Sequence, residues 1–213
     1  MLFSKSHIIK SDFILKNLID AILDEFYAKT SESLQAKFLA DIPNSWQVHG
    51  DILILPRDAM RQQIWVDTLP SVWQVFCDVL GVKRIARHNQ ITSNSFRSPK
   101  TELLYGDNGW ITRKDNGITY TYDITRCMFS DGNITEKMRL ALLDCKDETV
   151  VDLFAGIGYF VLPFLVHSKA TLVYACEWNP AALEALRKNL EINGVTDKCI
   201  ILEGDNRKVC CSL

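Results

Sequence analysis

Three short β-prone runs in the second half of the chain leave it few folds to choose from. TVVDLF (149–154), TLVYACE (171–177) and CIILEGDN (199–206) are separated by two segments of helical character. The first of these carries Pro163 early enough that its missing N–H costs little. The second, NPAALEALRKNLEING, is stopped at Asn193-Gly194. Strands that alternate with helices imply a parallel, doubly wound sheet with right-handed crossovers. TVVDLF is apolar enough to predict a strand buried on both faces.

Upstream the rhythm differs. Asn133 followed by Glu136 predicts a capping box before ITEKMRLALLDC, whose Ile134, Met138, Ala141 and Leu142 share a face. TELLYGDNGWITRKDNGITYTYDIT holds two Asp-Asn-Gly turns, at Asp107–Gly109 and Asp115–Gly117, and predicts an antiparallel meander of about three strands. DFILKNLIDAILDEFYA and SESLQAKFLADI read as helices, and WQVHGDILILP as one strand ending at Pro56. LPSVWQVFCDVLGV reads as a helix between Pro70 or Ser71 and Gly81. The expected organisation is α/β: a mixed α+β region over 1–126, a Rossmann-like half-domain over 127–208 and a divergent tail, VCCSL, over 209–213.

The 213 residues are 47% hydrophobic and 23% charged, and no apolar run reaches the length of a membrane span. Lysines and an aspartate interrupt the N-terminal MLFSKSHIIKSDF, so it makes a poor signal peptide, and a cytoplasmic location is expected. The seven cysteines show no C-x-x-C spacing, so neither a metal site nor a disulfide framework is indicated. A net charge of −2 argues against a general nucleic-acid binder. Between Lys83 and Asp115, however, seven Lys or Arg stand against three acids, which is either a phosphate-facing patch around Arg84 and Arg97 or a solvated face.

In an open parallel sheet, ligands sit beyond the carboxyl ends of the strands. DLFAGIGYF lies at such an end, where Gly156 and Gly158 would let a ligand approach the backbone. Glu177 closes the next strand, where an acceptor for a ribose diol belongs, and Asp205-Asn206 closes the third. A third glycine would fall at Val161 and is absent, which points away from a dinucleotide and towards S-adenosyl-L-methionine.

FSDGNITEKMR, VVDLFAGIGYFVLPFLV, ACEWNPAALEALRKNLEING and EGDNRK together resemble the tRNA wybutosine-synthesizing protein 2 family. That family shares a superfamily with the tRNA guanine-37 N1-methyltransferases. The resemblance implies a class I methyltransferase fold. It also implies transfer of the 3-amino-3-carboxypropyl group of S-adenosyl-L-methionine to the modified guanosine at position 37 of phenylalanine tRNA, in the anticodon loop. By the same resemblance Ser130 and Lys137 contact the co-substrate, Glu177 holds its ribose, and Asp205 with Asn206 holds its adenosine end. Glu148 is either a proton acceptor by analogy or an exposed acid. Ser130-Asp131-Gly132-Asn133 stands where the methyltransferase branch usually has Ser-Pro-Arg-Leu, and Tyr159 where it tends to have proline. Both differences favour the aminocarboxypropyl branch over guanine-37 methylation. Only three of about seven strands can be counted, so the expectation is a C-terminally truncated chain, with the third strand an unpaired edge. A non-catalytic tRNA-binding remnant is the remaining alternative.

Overall fold

The structure is a computed structural model that describes residues 7–9, 12–26, 36, 39–62, 65, 69–88, 101–128 and 133–212. Along the chain the described residues divide into two units between Gly109 and Trp110.

The first unit holds a five-stranded sheet of β1 (His7–Ile9), β2 (Trp46–His49), β3 (Ile52–Leu55), β4 (Arg84–Arg87) and β5 (Glu102–Tyr105), in that order. WQVHGDILILP is two strands rather than one. Gly50 takes a φ of +60° and folds β2 back on β3 as an antiparallel hairpin. Two helices complete the unit, α1 (Asp12–Phe26) and α2 (Leu69–Leu80), and α2 stops at Gly81, whose φ is +65°. Helix α2 carries the crossover between the parallel strands β3 and β4. Leu18, Leu53, Leu55, Val72, Phe76 and Ile85 are fully buried in one core, each side chain of this size contributing roughly 1.5–3 kcal/mol. The second predicted helix, SESLQAKFLADI, lies largely outside the described residues, as does Arg97.

In the second unit, β6 (Trp110–Asp115) and β7 (Ile118–Asp123) form a hairpin around Asn116-Gly117, both at positive φ. The expected three-stranded meander is therefore two strands, because β5 pairs with β4 in the first sheet. The hairpin also falls on the other side of the expected boundary at residue 126. The reason lies in α5 (Pro180–Ile192), whose Asn189 and C-terminal capping residue Asn193 finish the free edge of β7. Thr121 N–H donates to Asn189 at 2.6 Å and Thr119 N–H to Asn193 at 3.0 Å, while Asn193 donates to Thr119 O at 2.7 Å. The Lys188 ammonium adds a contact 3.5 Å from the centroid of the Trp110 ring.

The remaining elements are α3 (Ile134–Leu140), β8 (Thr149–Asp152), α4 (Val161–Val166), β9 (Leu172–Glu177), β10 (Cys199–Glu203) and α6 (Asn206–Val209). Strands β10, β9 and β8 form a parallel three-stranded sheet in that order, as the alternation requires. Strand β8 is not buried on both faces: Thr149 and Val151 are exposed. Among the described residues it pairs with β9 alone, so it is an edge just as β10 is. The capping box is also absent. Asn133 makes no side-chain cap bond, and Glu136 turns instead to Arg139 at 2.7 and 2.9 Å. Helix α3 buries Lys137 and Leu140 and leaves Ile134, Met138 and Leu142 outward, because the Lys137 ammonium is paired with Asp115 of the hairpin. Among the described residues no helix is long and apolar enough to cross a membrane.

Candidate functional site

A cavity of about 210 Å³ opens beyond the carboxyl ends of β8 and β9, lined by Arg126, Met128, Gly156, Tyr159, Glu177 and Trp178. Its floor is the turn between β8 and α4. Ala155 N–H donates to Cys176 O at 3.0 Å and Gly158 N–H to Ala155 O at 2.9 Å. Gly156 and Gly158 have φ of +56° and +98°, angles that side chains other than hydrogen rarely tolerate. Glu177 ties this turn to the end of β9. One carboxylate oxygen accepts from Gly156 N–H at 2.7 Å, and the other from Trp178 N–H at 2.8 Å and Asn179 N–H at 2.7 Å. A carboxylate offers about four acceptor positions. With three taken, Glu177 keeps capacity for a further O–H donor.

A Cβ on Gly156 would stand 2.9 Å from the Tyr159 ring, and one on Gly158 would stand 3.0 Å from Leu186 Cδ1. Both contacts are with side chains of the protein itself. Tyr159 lies over Gly156, and its hydroxyl donates to Met128 O, so the ring is a wall of the cavity. Tyr120 of β7 supports the same residue from the hairpin, donating to Tyr159 O at 3.5 Å.

The structure brings Gly156, Gly158 and Glu177 together at the turn and places Lys137, Asp205, Asn206 and Glu148 outside the cavity lining. Lys137 is 3% exposed, paired with Asp115 and 5.4 Å from the Tyr120 ring centroid; it does not line the cavity. Asp205 caps α6, accepting from Arg207 N–H at 3.1 Å, and the Arg207 guanidinium beside it lowers its carboxyl to about 2. Asn206 donates to Leu153 O at 2.8 Å, which joins the end of β10 to the end of β8. Ser130 lies outside the described residues. Glu148 is misplaced for proton transfer: it precedes the amino end of β8, about 13 Å of strand away from the turn at the carboxyl end.

Sequence reasoning missed Arg126, Trp178, Asn179 and Asp152. Trp178 had a signal, an aromatic directly after the acid that ends a strand. Asn179 had another, standing before Pro180, and it caps α5 by accepting from Ala181 N–H at 3.0 Å. Asp152 ends β8 with one oxygen on Phe154 N–H and the other buried without a partner among the described residues. Burial raises its pKa, and Glu177 adds to the rise. Burial also pushes the Cys127 and Cys199 thiols up to about 12, so neither is a nucleophile at neutral pH. Among the described residues no cluster of His, Cys, Asp and Glu could hold a metal.

A glycine turn at the end of one parallel strand, tied to an acid at the end of the next, marks the first half of a class I methyltransferase fold. Residues 111–213 match the TRM5/TYW2 methyltransferase domain, and residues 29–109 match the TYW2 N-terminal domain. The chain belongs to the TRM5/TYW2 family. It is 53% identical over 174 residues to the tRNA wybutosine-synthesizing protein 2 homolog of Bos taurus, a match covering 82% of this chain and 40% of that protein. The crystal structure of TYW2 from Pyrococcus horikoshii in complex with MeSAdo superposes with a TM-score of 0.65 at 31% identity, covering 89% of this chain and 65% of that one. The tRNA m1G37 methyltransferase of Methanocaldococcus jannaschii gives 0.59 at 25% identity, covering 90% and 54%. The chain thus spans 40% of the length of its bovine relative.

Proposed function

We propose that this chain forms the S-adenosyl-L-methionine-binding part of an enzyme of wybutosine biosynthesis. The reaction is transfer of the 3-amino-3-carboxypropyl group to 4-demethylwyosine at position 37 of phenylalanine tRNA. The observation that carries this reading is the Glu177 carboxylate at the end of β9, bonded at 2.7 Å to the glycine turn and facing the cavity. Glu177 would take a ribose hydroxyl, and Asp205 and Asn206, at the end of the neighbouring strand, the adenosine end. Ser130 and Lys137 are assigned to the amino-acid tail by the family resemblance, which for Lys137 requires its ammonium to leave Asp115, since that pair holds it off the cavity lining.

A sulfonium activates each of its three carbons, so the group transferred is the one whose carbon faces the nucleophile. In this reaction a carbon of the base attacks the methylene next to sulfur, that C–S bond breaks, and neutral methylthioadenosine leaves. The base carbon then loses its proton. What the protein supplies is orientation within a walled cavity. The 53% identity to a wybutosine-synthesizing relative, against 25% to a guanine-37 methyltransferase, supports the aminocarboxypropyl branch. A match to the TYW2 N-terminal domain over 29–109 does the same. We place the protein in the cytoplasm with its tRNA.

Calorimetry with S-adenosyl-L-methionine is the first test, and absence of binding by the folded chain sinks the proposal. Mass spectrometry of the tRNA separates the branches: about 101 Da is gained by aminocarboxypropyl transfer and about 14 Da by methylation. Binding of both tRNA and S-adenosyl-L-methionine with no change in mass identifies a non-catalytic chain.

A further inference from the structure

Asn189 sits in the body of α5 and is 0% exposed. Asparagine is a poor choice inside a helix, and a buried amide is costly unless it is paired at both ends. Here it is. Its oxygen accepts from Thr121 N–H at 2.6 Å, and its nitrogen donates to Ile157 O at 2.8 Å. Ile157 is the residue between the two positive-φ glycines of the turn. One side chain therefore joins the turn to the hairpin, across sequence separations of 32 and 68 residues.

Two other polar groups of the turn are also committed, Gly156 N–H to Glu177 and Gly158 N–H to Ala155 O. The Ile157 carbonyl is the group that fixes the peptide between the glycines, the most permissive stretch of the loop. We propose that Asn189 is a positioning residue that holds this turn in its ligand-ready geometry, with β7 as the fixed frame. Its effect on affinity rests on the S-adenosyl-L-methionine reading of the cavity; its effect on the turn does not.

Asn189→Leu separates positioning from packing. Leucine keeps the four heavy atoms and the Cγ branch of the asparagine side chain and has a better helix propensity, so a merely space-filling residue tolerates the change best in this form. If Asn189 positions the turn, amide hydrogen-exchange protection across Gly156–Phe160 falls about tenfold while β9 keeps its own, and S-adenosyl-L-methionine binds about tenfold more weakly. Unchanged protection in the turn overturns the proposal, and so does an equal loss in β9. Should the leucine variant fail to fold, Asn189→Asp gives a second reading. Its protonated carboxyl can donate to Ile157 O and its ionised form cannot, so turn protection factors recover as the pH falls. Protection independent of pH in that variant also overturns the proposal. If the parent chain does not bind S-adenosyl-L-methionine, the functional reading fails and the exchange data alone decide the role of Asn189.

Discussion

The two units keep their polar and apolar side chains in opposite ways. Among the described residues, all eleven exposed large hydrophobic side chains, from Met128 to Ile200, belong to the second unit. Five of the six buried polar or charged side chains, namely Thr121, Asp123, Lys137, Ser168 and Asn189, are there too. The first unit encloses carbon: every residue of β3 is buried, and Leu18, Val72 and Phe76 are fully buried with it. Its one buried charge among the described residues, Arg87, donates from its terminal nitrogens to Ala59 O, Met60 O and Glu102 and leaves Nε buried without a partner among them. Stability in the first unit is thus a matter of area removed from water. The second also relies on buried polar clamps, and one of them, Asn189, reaches the turn and ties stability to the site.

The largest test of that contrast is Phe76→Ala. Deleting a fully buried ring costs about 3–5 kcal/mol, read by denaturant unfolding. If the units are as distinct as their cores, the variant keeps the parent's affinity for S-adenosyl-L-methionine. A parallel loss of affinity would break the contrast. Asp115→Ala attacks the other unit by its own logic. It leaves the 3%-exposed Lys137 ammonium without its carboxylate, at a cost of about 3 kcal/mol. An effect below 1 kcal/mol would mean that the clamps are ornamental. Glu177→Ala reads the site directly, weakening S-adenosyl-L-methionine about 100-fold by calorimetry, since it removes the diol's acceptor and frees the N–H groups that hold the turn.

The same contrast explains which parts of the molecule were legible in the sequence. The order of strands β8 to β10 and the turn after β8 follow from apolar runs, Pro163 and Asn193-Gly194, all local signals. The burial of β8 does not, because its apolar pattern reports the side chains and not whether a neighbouring strand covers them. The inward face of α3 was misread because the group that selects it, Asp115, lies 22 residues away. The hairpin was assigned to the wrong side of the boundary because its partners, Asn189 and Asn193, stand 68 and 74 residues from Thr121 and Thr119. At the site, Gly156 and Glu177 were legible as strand-end chemistry. What fills the space over Gly156 is Tyr159, a contact that spacing alone does not reveal.

A smaller effect of opposite sign is expected at Asp152. Its buried, unpartnered oxygen makes ionisation costly, and its folded pKa is raised by burial. The folded state therefore binds this proton more tightly than the unfolded chain. Stability falls as the pH rises from the unfolded value, about 3.9, through the raised folded one. Asp152→Asn removes that dependence and stabilises the chain at neutral pH by about 1 kcal/mol. Urea unfolding of both proteins as a function of pH checks it, and an asparagine variant less stable than the parent would show that the carboxylate has a partner in solution.

Asp205 should give the weakest signal, and with the reverse slope. The Arg207 guanidinium lowers its pKa to about 2, so the folded state releases this proton more readily than the unfolded chain. The resulting stabilisation is present above about pH 4 and is lost as the pH falls towards 2. The pair is exposed, so solvent screens it and salt should weaken it further. Asp205→Asn keeps an oxygen that can cap α6, accepting from Arg207 N–H, and removes only the charge. The variant should therefore unfold like the parent at neutral pH and differ only in the acid limb of the curve. A difference at neutral pH would mean that Asp205 holds more of the structure than its own helix. In that case the end of β10 is clamped like the turn after β8, and the polar frame of the second unit extends across all three strand ends.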